Sequence, residues 1–202
     1  MAAAFIYLGS RFAAKQVLKF PGAHPNQQTS CEAAEAILDL AKPDSNLVVF
    51  GIGWDAVMWA RMVPQGSVKY LEHHTNWRKL ATELLEPEKN VEVLPIFYTS
   101  SVWRWSSQFI PLDPTPIKAH SSDITLVDSP EGFSFGRGPA ILEAYRVTKP
   151  GGYIFLDDAK RIWERFLASS LLWPYCDCEM INTRGGFLKC KVLKVPAYAL
   201  EE

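Results

Sequence analysis

The sequence predicts one α/β domain built on a doubly wound, mainly parallel sheet with a C-terminal antiparallel hairpin. Strand-like apolar runs alternate with helix-like segments along most of the 202 residues, as they do where helices connect parallel strands. The run Leu-Val-Val-Phe at residues 47–50 is apolar throughout, which is typical of a strand covered by helices on both faces. Glycines follow it at once, where open α/β sheets place the turn beside their ligand sites.

The first half of the chain contains a repeated strand and helix pattern. Thr29 and Glu32 stand at capping-box spacing before a helix that Pro43 ends. After the buried strand and its glycines, a helix-compatible stretch leads to a second strand that closes on an acid. We therefore expect helices over residues 31–41, 55–62 and 76–85, and strands over residues 47–50, 68–72 and 91–98.

The second half continues this pattern and then departs from it. Pro139 suits the first turn of a helix, and Gly151 and Gly152 precede another strand. At the end, only the turn-forming residues 182–186 separate two strands, which predicts an antiparallel hairpin. We expect strands over residues 123–128, 153–157, 178–181 and 187–193, and helices over residues 139–147 and 162–172.

Length and charge limit the class of protein. A chain of 22.7 kDa suits one domain, which we place at residues 26–202 after an N-terminal extension of residues 1–25. With 21 basic and 22 acidic side chains, the sequence lacks the basic surplus of nucleic-acid-binding proteins, so no nucleic-acid partner is predicted. The apolar stretch at residues 2–8 is too short for a transmembrane helix, so no membrane segment is predicted.

The four cysteines are too few for a disulfide-based scaffold. Cys176 and Cys178 have one residue between them, not the two of a zinc knuckle. Cys178 and Cys190 fall on the two strands of the predicted hairpin. A bridge between them is one interpretation, and buried free thiols are the other.

The turn after the first strand has the features of a cofactor site. Glycine at both ends of the turn allows a close backbone approach to a ligand. Glu72 ends the next strand, where a carboxylate accepts both hydroxyl hydrogens of a bound ribose; a solvated strand-end charge is the alternative. A nicotinamide or an adenosyl cofactor satisfies this pattern equally. The predicted cofactor-binding residues are Gly51, Gly53, Trp54, Asp55, Glu72 and Asp128.

Three carboxylates end the two following parallel strands. Asp128 closes one strand, and Asp157 and Asp158 close the next, so all three should reach the same edge of the sheet. A carboxylate there can take the proton of a hydroxyl nucleophile, so all three are predicted catalytic residues. Carboxylate oxygens also suit magnesium, manganese or calcium, so the same acids are the candidate metal ligands. Helix capping and loop support are the structural alternatives.

Segments beyond the glycine turn favour the adenosyl cofactor. Residues 147–152 resemble the loop before strand five of the class I methyltransferases, and the terminal hairpin resembles the reversed last strand of that fold. Further segments keep their order and spacing: residues 46–59 with Phe-Gly-Ile-Gly-Trp-Asp, 71–72, 127–132, 136–137, and 158–161 with Asp-Ala-Lys-Arg. Together they resemble the glucuronoxylan 4-O-methyltransferase family of plant cell-wall biosynthesis, over roughly residues 26–165.

This resemblance implies methyl transfer from S-adenosylmethionine to the 4-hydroxyl of a glucuronic acid side chain on a polysaccharide, in the Golgi lumen. If the acceptor is a uronate, basic residues on the loops after strands four and five should bind its carboxylate, and Arg137, Lys160 and Arg161 lie there. Two positions depart from the family pattern. Where Asp157 and Lys160 stand, the family commonly has histidine and aspartate. The family's usual N-terminal membrane anchor is also not seen.

Two other functions stay open at this point. One is methylation of a small hydroxylated acceptor in the cytoplasm, with a divalent cation assisting. The other is a non-catalytic protein of the same fold that binds a polysaccharide or a partner enzyme. Trp103 and Trp105, before the proline-rich segment 109–120, are candidates for stacking on a sugar or for core packing. His73 and His74 are interpreted as a surface pair without a catalytic role.

Overall fold

A computed structural model describes residues 29–98, 115–130 and 137–196 of the chain. Its one sheet consists of seven strands: β1 (Asn46–Phe50), β2 (Ser67–Glu72), β3 (Val91–Pro95), β4 (Ser122–Val127), β5 (Thr148–Asp157), β6 (Cys176–Ile181) and β7 (Phe187–Val192). Their spatial order is β3-β2-β1-β4-β5-β7-β6. The first five strands are parallel, and β7 runs antiparallel to both β5 and β6. The predicted mainly parallel sheet with a closing antiparallel hairpin is confirmed.

Helices cover both faces of this sheet. They are α1 (Cys31–Leu38), α2 (Ala56–Met62), α3 (Thr75–Leu85), α4 (Gly138–Val147) and α5 (Ile162–Leu167), which a π-helical turn (Ala168–Leu172) extends. Apolar side chains of α1, α2 and α3 pack on one face, and those of α4, α5 and the π-helical turn pack on the other. Burial on both faces explains the continuous apolar runs of the central strands. Within the described ranges, no helix is long and apolar enough to span a membrane.

Several local predictions differ from the structure. Helix α1 ends at Leu38, not at residue 41, and β3 ends at Pro95, not at residue 98. Ser30, not Thr29, caps α1, because the Ser30 hydroxyl accepts a hydrogen bond from the Ala33 N–H. The strand predicted at residues 153–157 begins earlier, at Thr148. Between Thr148 and Tyr153 the pairing of β5 with β4 is irregular, and the glycine pair lies in that irregular part. The glycines therefore lie inside the strand, where they interrupt its pairing with β4, and not before the strand.

Several predictions concern residues outside the described ranges. They are the domain boundary at residue 26, the aromatic residues Trp103 and Trp105, residues 109–114 of the proline-rich segment, and residues 131–136, which belong to the resemblance. These predictions stay as they are.

The hairpin contains a disulfide between Cys178 and Cys190. The two residues face each other in the register of β6 and β7, with Cα atoms 4.1 Å apart. Cys31 and Cys176 are buried thiols. Because β6 is an edge strand that pairs only with β7, the disulfide ties the edge of the sheet to its interior. Of the two interpretations of these cysteines, the bridge is the one observed.

We expect this disulfide to stabilise the domain by restricting the unfolded chain. It closes a loop with a sequence separation of 12 residues, for which loop-closure entropy gives about 2–3 kcal/mol. The double variant Cys178→Ser, Cys190→Ser should lose about that much free energy of unfolding, measured by urea denaturation. Reductant should destabilise the wild-type protein and leave the double variant unchanged. A wild-type midpoint that does not respond to reductant would contradict the bridge.

Candidate active site

The central parallel strands end in register at one edge of the sheet. The last apolar residue of each pairs with that of its neighbour, in the order Leu71, Phe50, Val127 and Leu156. The residues that follow them lie at the same level, and in the same order these are Glu72, Gly51, Asp128 and Asp157. Glu72 and Asp157 are the last residues of β2 and β5 and still pair with β3 and β7. The fold thus brings together the glycine turn, the predicted ribose-binding acid and two of the three predicted catalytic acids.

The turn after β1 requires glycine for reasons internal to the protein. Gly51 has a φ of +102°, and a Cβ there would lie 2.7 Å from the Cβ of Ser129. A Cβ on Gly53 would lie 2.7 Å from Oδ1 of Asp55. The absent side chains make room for the segment after β4 and for the turn itself. The predicted tight turn is present, and protein contacts account for both glycines.

Asp55 and Trp54 support this turn from within the protein. Asp55 is buried, and the Thr29 hydroxyl donates a hydrogen bond to its Oδ2. Burial raises the pKa of the Asp55 carboxyl. The Trp54 ring packs edge-on against Trp77 of α3, with ring centroids 5.9 Å apart. Asp55 therefore joins the segment before α1 to the glycine turn, a contact that the sequence did not indicate.

The Glu72 carboxylate is buried at the end of β2 and accepts several hydrogen bonds. The Ile52 N–H, inside the glycine turn, donates to Oε2 over 3.0 Å, and the His74 N–H donates to Oε1 over 2.7 Å. Nδ1 of His73 lies 3.1 Å from Oε1. Since an ionised carboxylate has about four acceptor positions, one position remains on Oε2. A hydroxyl group of a ligand can donate to this position.

Three side chains near Glu72 were not among the predicted site residues: His73, Tyr98 and Ser129. Oγ of Ser129 lies 3.4 Å from Nδ1 of His73. The Tyr98 ring packs edge-on against the His73 ring, with centroids 5.3 Å apart. The Tyr98 hydroxyl is buried; burial raises its pKa, and the Ser129 side chain beside it opposes that rise. Their one common sequence signal is that each closely follows a parallel strand.

The three predicted acids converge. One carboxylate oxygen from each of Asp128, Asp157 and Asp158 lies within 4.8 Å of the other two. Asp158 has a left-handed φ of +54°, a conformation that aspartate adopts more readily than most residues. It begins a tight turn, in which the Arg161 N–H donates to the Asp158 carbonyl over 2.9 Å. The Asp158 carboxylate thus lies at the same edge of the sheet as those of Asp128 and Asp157.

A buried guanidinium, that of Arg137, holds the acids together. It donates hydrogen bonds to the backbone carbonyls of Asp128 and Asp157. Its Nη2 also lies 3.3 Å from the carboxylates of Asp128 and Asp158, and its Nε lies 4.0 Å from Glu164. The Arg137 side chain, predicted to bind a substrate carboxylate, is only 2% exposed and bonds to the protein's own acids.

Neighbouring protein groups raise the pKa values of Asp128 and Asp158. Although 45% of the Asp128 side chain is exposed, its carboxyl lies among other protein groups. This desolvation, followed by the negative charge of Asp157, raises its pKa well above the usual 3.8. The same two causes raise the pKa of Asp158, whose side chain is 21% exposed. Asp128 is therefore the acid that combines a raised pKa with access for an incoming group.

The other two predicted basic residues lie on the turn after β5 and have different surroundings. The Arg161 side chain is 52% exposed, with its Nη2 2.7 Å from Oδ2 of Asp158. The Lys160 ammonium donates to the Asn182 amide oxygen and to the Thr183 carbonyl, over 2.9 and 2.7 Å. Arg161 thus remains open to a ligand beside the acids, whereas Lys160 fastens the turn to the β6–β7 hairpin.

The acid cluster offers hard oxygen donors of the kind that bind divalent cations. However, Arg137 already supplies a positive charge, with Nη2 3.3 Å from carboxylates of Asp128 and Asp158. A divalent cation bound by these oxygens would lie against that guanidinium and be repelled by it. The residues present do not fit a metal at the predicted position, and no catalytic step is derived through one.

Sequence comparison finds relatives among plant O-methyltransferases. No family model matches the chain. Arabinogalactan O-methyltransferase 2 of Arabidopsis thaliana is 25% identical, over 89% of this chain and 72% of the relative. Arabinogalactan O-methyltransferase 1 of the same plant is 26% identical, over 70% of this chain and 58% of the relative. These names agree with O-methyl transfer, and they name arabinogalactan where the resemblance implied xylan.

Structural comparison establishes the fold. A putative caffeoyl-CoA O-methyltransferase from Staphylococcus aureus superposes with a TM-score of 0.60 at 12% identity, covering 82% of this chain and 85% of that one. A SAM-dependent methyltransferase from Aquifex aeolicus gives 0.53 at 15% identity, covering 79% and 88%. The predicted class I methyltransferase fold is confirmed. The names of these proteins also agree with S-adenosylmethionine as the cofactor.

The buried position of Arg137 predicts a large cost for its loss. Arg137→Gln should lower the free energy of unfolding in urea by ~3 kcal/mol, because it leaves carbonyls without donors and carboxylates without a counter-charge. Arg161→Gln is the matched control, and we expect it to cost less than ~1 kcal/mol because this arginine is exposed.

Protonation should relieve the repulsion among the acids that Arg137→Gln exposes. The stability that Arg137→Gln loses relative to the wild-type protein should therefore become smaller as pH falls through the raised pKa values of Asp128 and Asp158. Equal losses of stability in the two variants, or a deficit that does not depend on pH, would show that Arg137 does not hold the acids together.

Proposed function

We propose that the hydroxyl methylated by this S-adenosylmethionine-dependent O-methyltransferase is the 4-hydroxyl of a glucuronic acid residue on a polysaccharide. The observation that carries the proposal is an exposed acid and an exposed base at the edge of one cluster. Asp128 is 45% exposed at the level of the glycine turn, and Arg161 is 52% exposed beside Asp158. A uronic acid can present a hydroxyl to Asp128 and its carboxylate to Arg161.

The residues after β1, β2 and β3 fit an adenosyl group. Glu72 retains one acceptor position next to the Ile52 N–H, and Tyr98 lies close by, with its ring against that of His73. Hydroxyl and amine groups of an adenosine satisfy such positions. When bound, S-adenosylmethionine supplies an electrophilic methyl group on a sulfonium sulfur.

We assign the role of general base to Asp128. A sugar hydroxyl is a weak nucleophile, so transfer is faster when a carboxylate takes its proton. The raised pKa of Asp128 makes its carboxylate a stronger base than a solvated aspartate. Asp158 bonds to Arg137 and Arg161, so it positions the basic groups. Desolvation, and then the charge of Asp157, keeps the pKa of Asp128 raised.

Arg161 is the group that we propose for the uronate carboxylate. Its guanidinium is exposed and contacts Asp158 through Nη2, while Nη1 lies 3.9 Å from Glu164. Because Asp158 also lies within the acid cluster, a carboxylate bound by Arg161 is held close to Asp128. Planar guanidinium groups bind carboxylates through two parallel hydrogen bonds, which fixes the orientation of the sugar ring.

For the glycan we propose xylan, as the family resemblance implies, with arabinogalactan as the other polymer to test because the relatives carry that name. For the compartment we propose the Golgi lumen. The Cys178–Cys190 disulfide supports this location, because disulfides persist in oxidising compartments and are rare in the cytosol.

A small hydroxylated acceptor is the second candidate. What favours it is the exposure of Asp128, whose side chain is 45% exposed, so that a hydroxyl can reach its carboxylate whether or not the acceptor carries an acid group. A non-catalytic protein that binds a polysaccharide or a partner enzyme is the third. Such a protein would not need the acceptor position on Glu72, so this position argues against the third candidate.

Binding of the cofactor tests the third candidate. We expect calorimetric titration to show binding of S-adenosylhomocysteine and no binding of NAD. Glu72→Gln should raise the dissociation constant at least ~10-fold, because a buried acceptor is lost. Glu92→Gln is the control, since Glu92 lies on β3, is 54% exposed and pairs with Lys69. A wild-type protein that fails to bind, or a Glu72→Gln variant that binds normally, would refute this cofactor site.

Catalysis by Asp128 predicts a characteristic pH dependence. The base must be ionised, so kcat should be low at pH values below the raised pKa of Asp128 and should increase as pH rises through that pKa. Asp128→Asn should lower kcat by about 10²- to 10⁴-fold and remove this acid limb. Asp177→Asn, a change at an exposed acid of β6, should leave the profile unchanged. An Asp128→Asn variant with the wild-type profile would exclude Asp128 as the base.

The acceptor assay decides between the first two candidates. The full chain is incubated with S-adenosylmethionine and, in parallel, with unmethylated glucuronoxylan, arabinogalactan, methyl glucuronide and a catechol, each with and without EDTA. We expect a 4-O-methyl ether on glucuronic acid, found by mass spectrometry and NMR, with no effect of EDTA. Methylation of the catechol alone, abolished by EDTA, would favour the small-molecule candidate and overturn the proposal.

A further inference from the structure

His73 lies between the predicted ribose-binding acid and the segment that follows β4. Its Nδ1 is 3.1 Å from Oε1 of Glu72 and 3.4 Å from Oγ of Ser129. Its side chain is 28% exposed, whereas His74 is exposed. The interpretation as a surface histidine therefore holds for His74 and not for His73. The roles proposed for the general base and for the carboxylate-binding arginine leave the contact between His73 and Glu72 unexplained.

The Glu72 carboxylate determines which ring nitrogen of His73 carries a proton. An ionised carboxylate accepts hydrogen bonds and cannot donate them, so the 3.1 Å contact requires a proton on Nδ1. The Ser129 hydroxyl lies farther from the same atom and can then accept from it but not donate to it. A hydrogen bond to a charged acceptor is stronger than one to a neutral hydroxyl. The Nδ1–H of His73 therefore donates mainly to Glu72.

This hydrogen bond makes the two oxygens of Glu72 unequal. Oε1 accepts from Nδ1 of His73 and from the His74 N–H, over 3.1 and 2.7 Å, so both of its acceptor positions are occupied. Among the described residues, Oε2 accepts a hydrogen bond from the Ile52 N–H alone, over 3.0 Å. Because Ile52 lies inside the glycine turn, the oxygen with an open acceptor position is the one beside that turn.

Neighbouring groups fix the position of His73. The Tyr98 and His74 rings contact its ring, with centroids 5.3 and 4.1 Å away. Arg78 of α3 donates to the carbonyls of Glu72 and His73, over 3.0 and 3.3 Å. These contacts hold both the ring and the backbone that carries it. Since the terminal torsion of a glutamate side chain is broad and roughly twofold, the orientation of the Glu72 carboxylate depends on such fixed donors.

We propose that His73 is a positioning residue of the cofactor site, which occupies Oε1 of Glu72 and thereby directs a ribose hydroxyl to Oε2, beside the glycine turn. The inference rests on the proposed role of Glu72 in binding the adenosyl cofactor. Without the Nδ1–H of His73, Oε1 regains an open acceptor position, so the carboxylate is free to turn and to bind water in place of the cofactor hydroxyl. The contact with ribose is then weaker and less selective.

Two substitutions separate the hydrogen bond of His73 from its ring. His73→Phe keeps a ring against Tyr98 but lacks the donor. His73→Asn loses the ring, while its side-chain amide keeps an N–H donor close to the place of Nδ1. In calorimetric titrations of the full chain with S-adenosylhomocysteine, His73→Phe should raise the dissociation constant about tenfold. His73→Asn should restore it to within about threefold of the wild-type value.

His120→Phe is the matched control for these variants. His120 also donates a hydrogen bond through Nδ1, to the Thr148 carbonyl over 3.1 Å. It precedes β4, whereas Asp128 follows that strand, so His120 lies at the end of β4 away from the site. The substitution removes a comparable hydrogen bond there and should leave the dissociation constant unchanged. Circular dichroism checks that each variant is folded.

Deoxy ligands test whether His73 directs the ribose contact. The 2′-deoxy and 3′-deoxy forms of S-adenosylhomocysteine each lack one ribose hydroxyl. The wild-type protein should bind one of them at least ~10-fold more weakly than the parent ligand. The same deletion should cost His73→Phe less than ~3-fold, because its contact with that hydroxyl is already impaired. A residue that merely stabilises the fold would leave the two penalties equal.

The proton on Nδ1 is also measurable in the wild-type protein without any ligand. The ¹⁵N NMR signals of labelled histidine side chains distinguish a protonated from an unprotonated ring nitrogen, and His73→Asn identifies the signals of His73. We expect a protonated Nδ1. This measurement does not depend on the folding of His73→Phe.

Four results would overturn the proposal: wild-type affinity in His73→Phe, binding by His73→Asn as weak as that by His73→Phe, equal ribose penalties in the wild-type protein and His73→Phe, or an unprotonated Nδ1. Failure of the proposed cofactor site gives a different result. In that case the wild-type protein does not bind S-adenosylhomocysteine, or Glu72→Gln binds it normally.

Discussion

The buried charge of Arg137 constrains the whole acidic edge of the sheet. Taking a guanidinium out of water is unfavourable unless its donors are satisfied, and the carbonyls of Asp128 and Asp157 satisfy two of them. Because these carbonyls end neighbouring strands, Arg137 joins β4 to β5 where their own pairing stops. It also offsets the repulsion between the carboxylates of Asp128 and Asp158. One side chain therefore serves both the fold and the electrostatics of the site, and it is not available to a ligand.

Asp157 gives this edge a chemistry that differs from the resembled family, which commonly has a histidine at that position. A third carboxylate adds negative charge within 4.8 Å of the other two. Its charge contributes to the raised pKa of both Asp128 and Asp158. Arg137 opposes this effect without cancelling it. The balance leaves an accessible carboxyl that is more basic than a solvated aspartate.

The sequence predicted the architecture because its signals are local. Apolar runs identify the buried strands, and residues 182–186 identify the hairpin. The common position of Glu72, Asp128 and Asp157 at one edge of the sheet follows from their places at the ends of parallel strands. The contacts of individual side chains were not predictable in this way. Whether Arg137 faces solvent or the acids depends on how α4 packs against two strand ends, and the Thr29 contact with Asp55 joins segments 26 residues apart. Both depend on tertiary packing, to which periodicity and spacing are insensitive.

The last strand in chain order has an interior place in the sheet. β7 lies between β5 and β6, and the residues just before it accept the hydrogen bonds that fix the turn after Asp158. During synthesis, the ribosome must therefore release the residues up to the end of β7 before the sheet closes and that turn acquires its partners. A nascent chain that ends before β7 has Asp128 and Arg137 but lacks the contacts that hold Asp158 and Arg161 beside them. The acidic edge of the sheet is thus completed only after β7 has been translated.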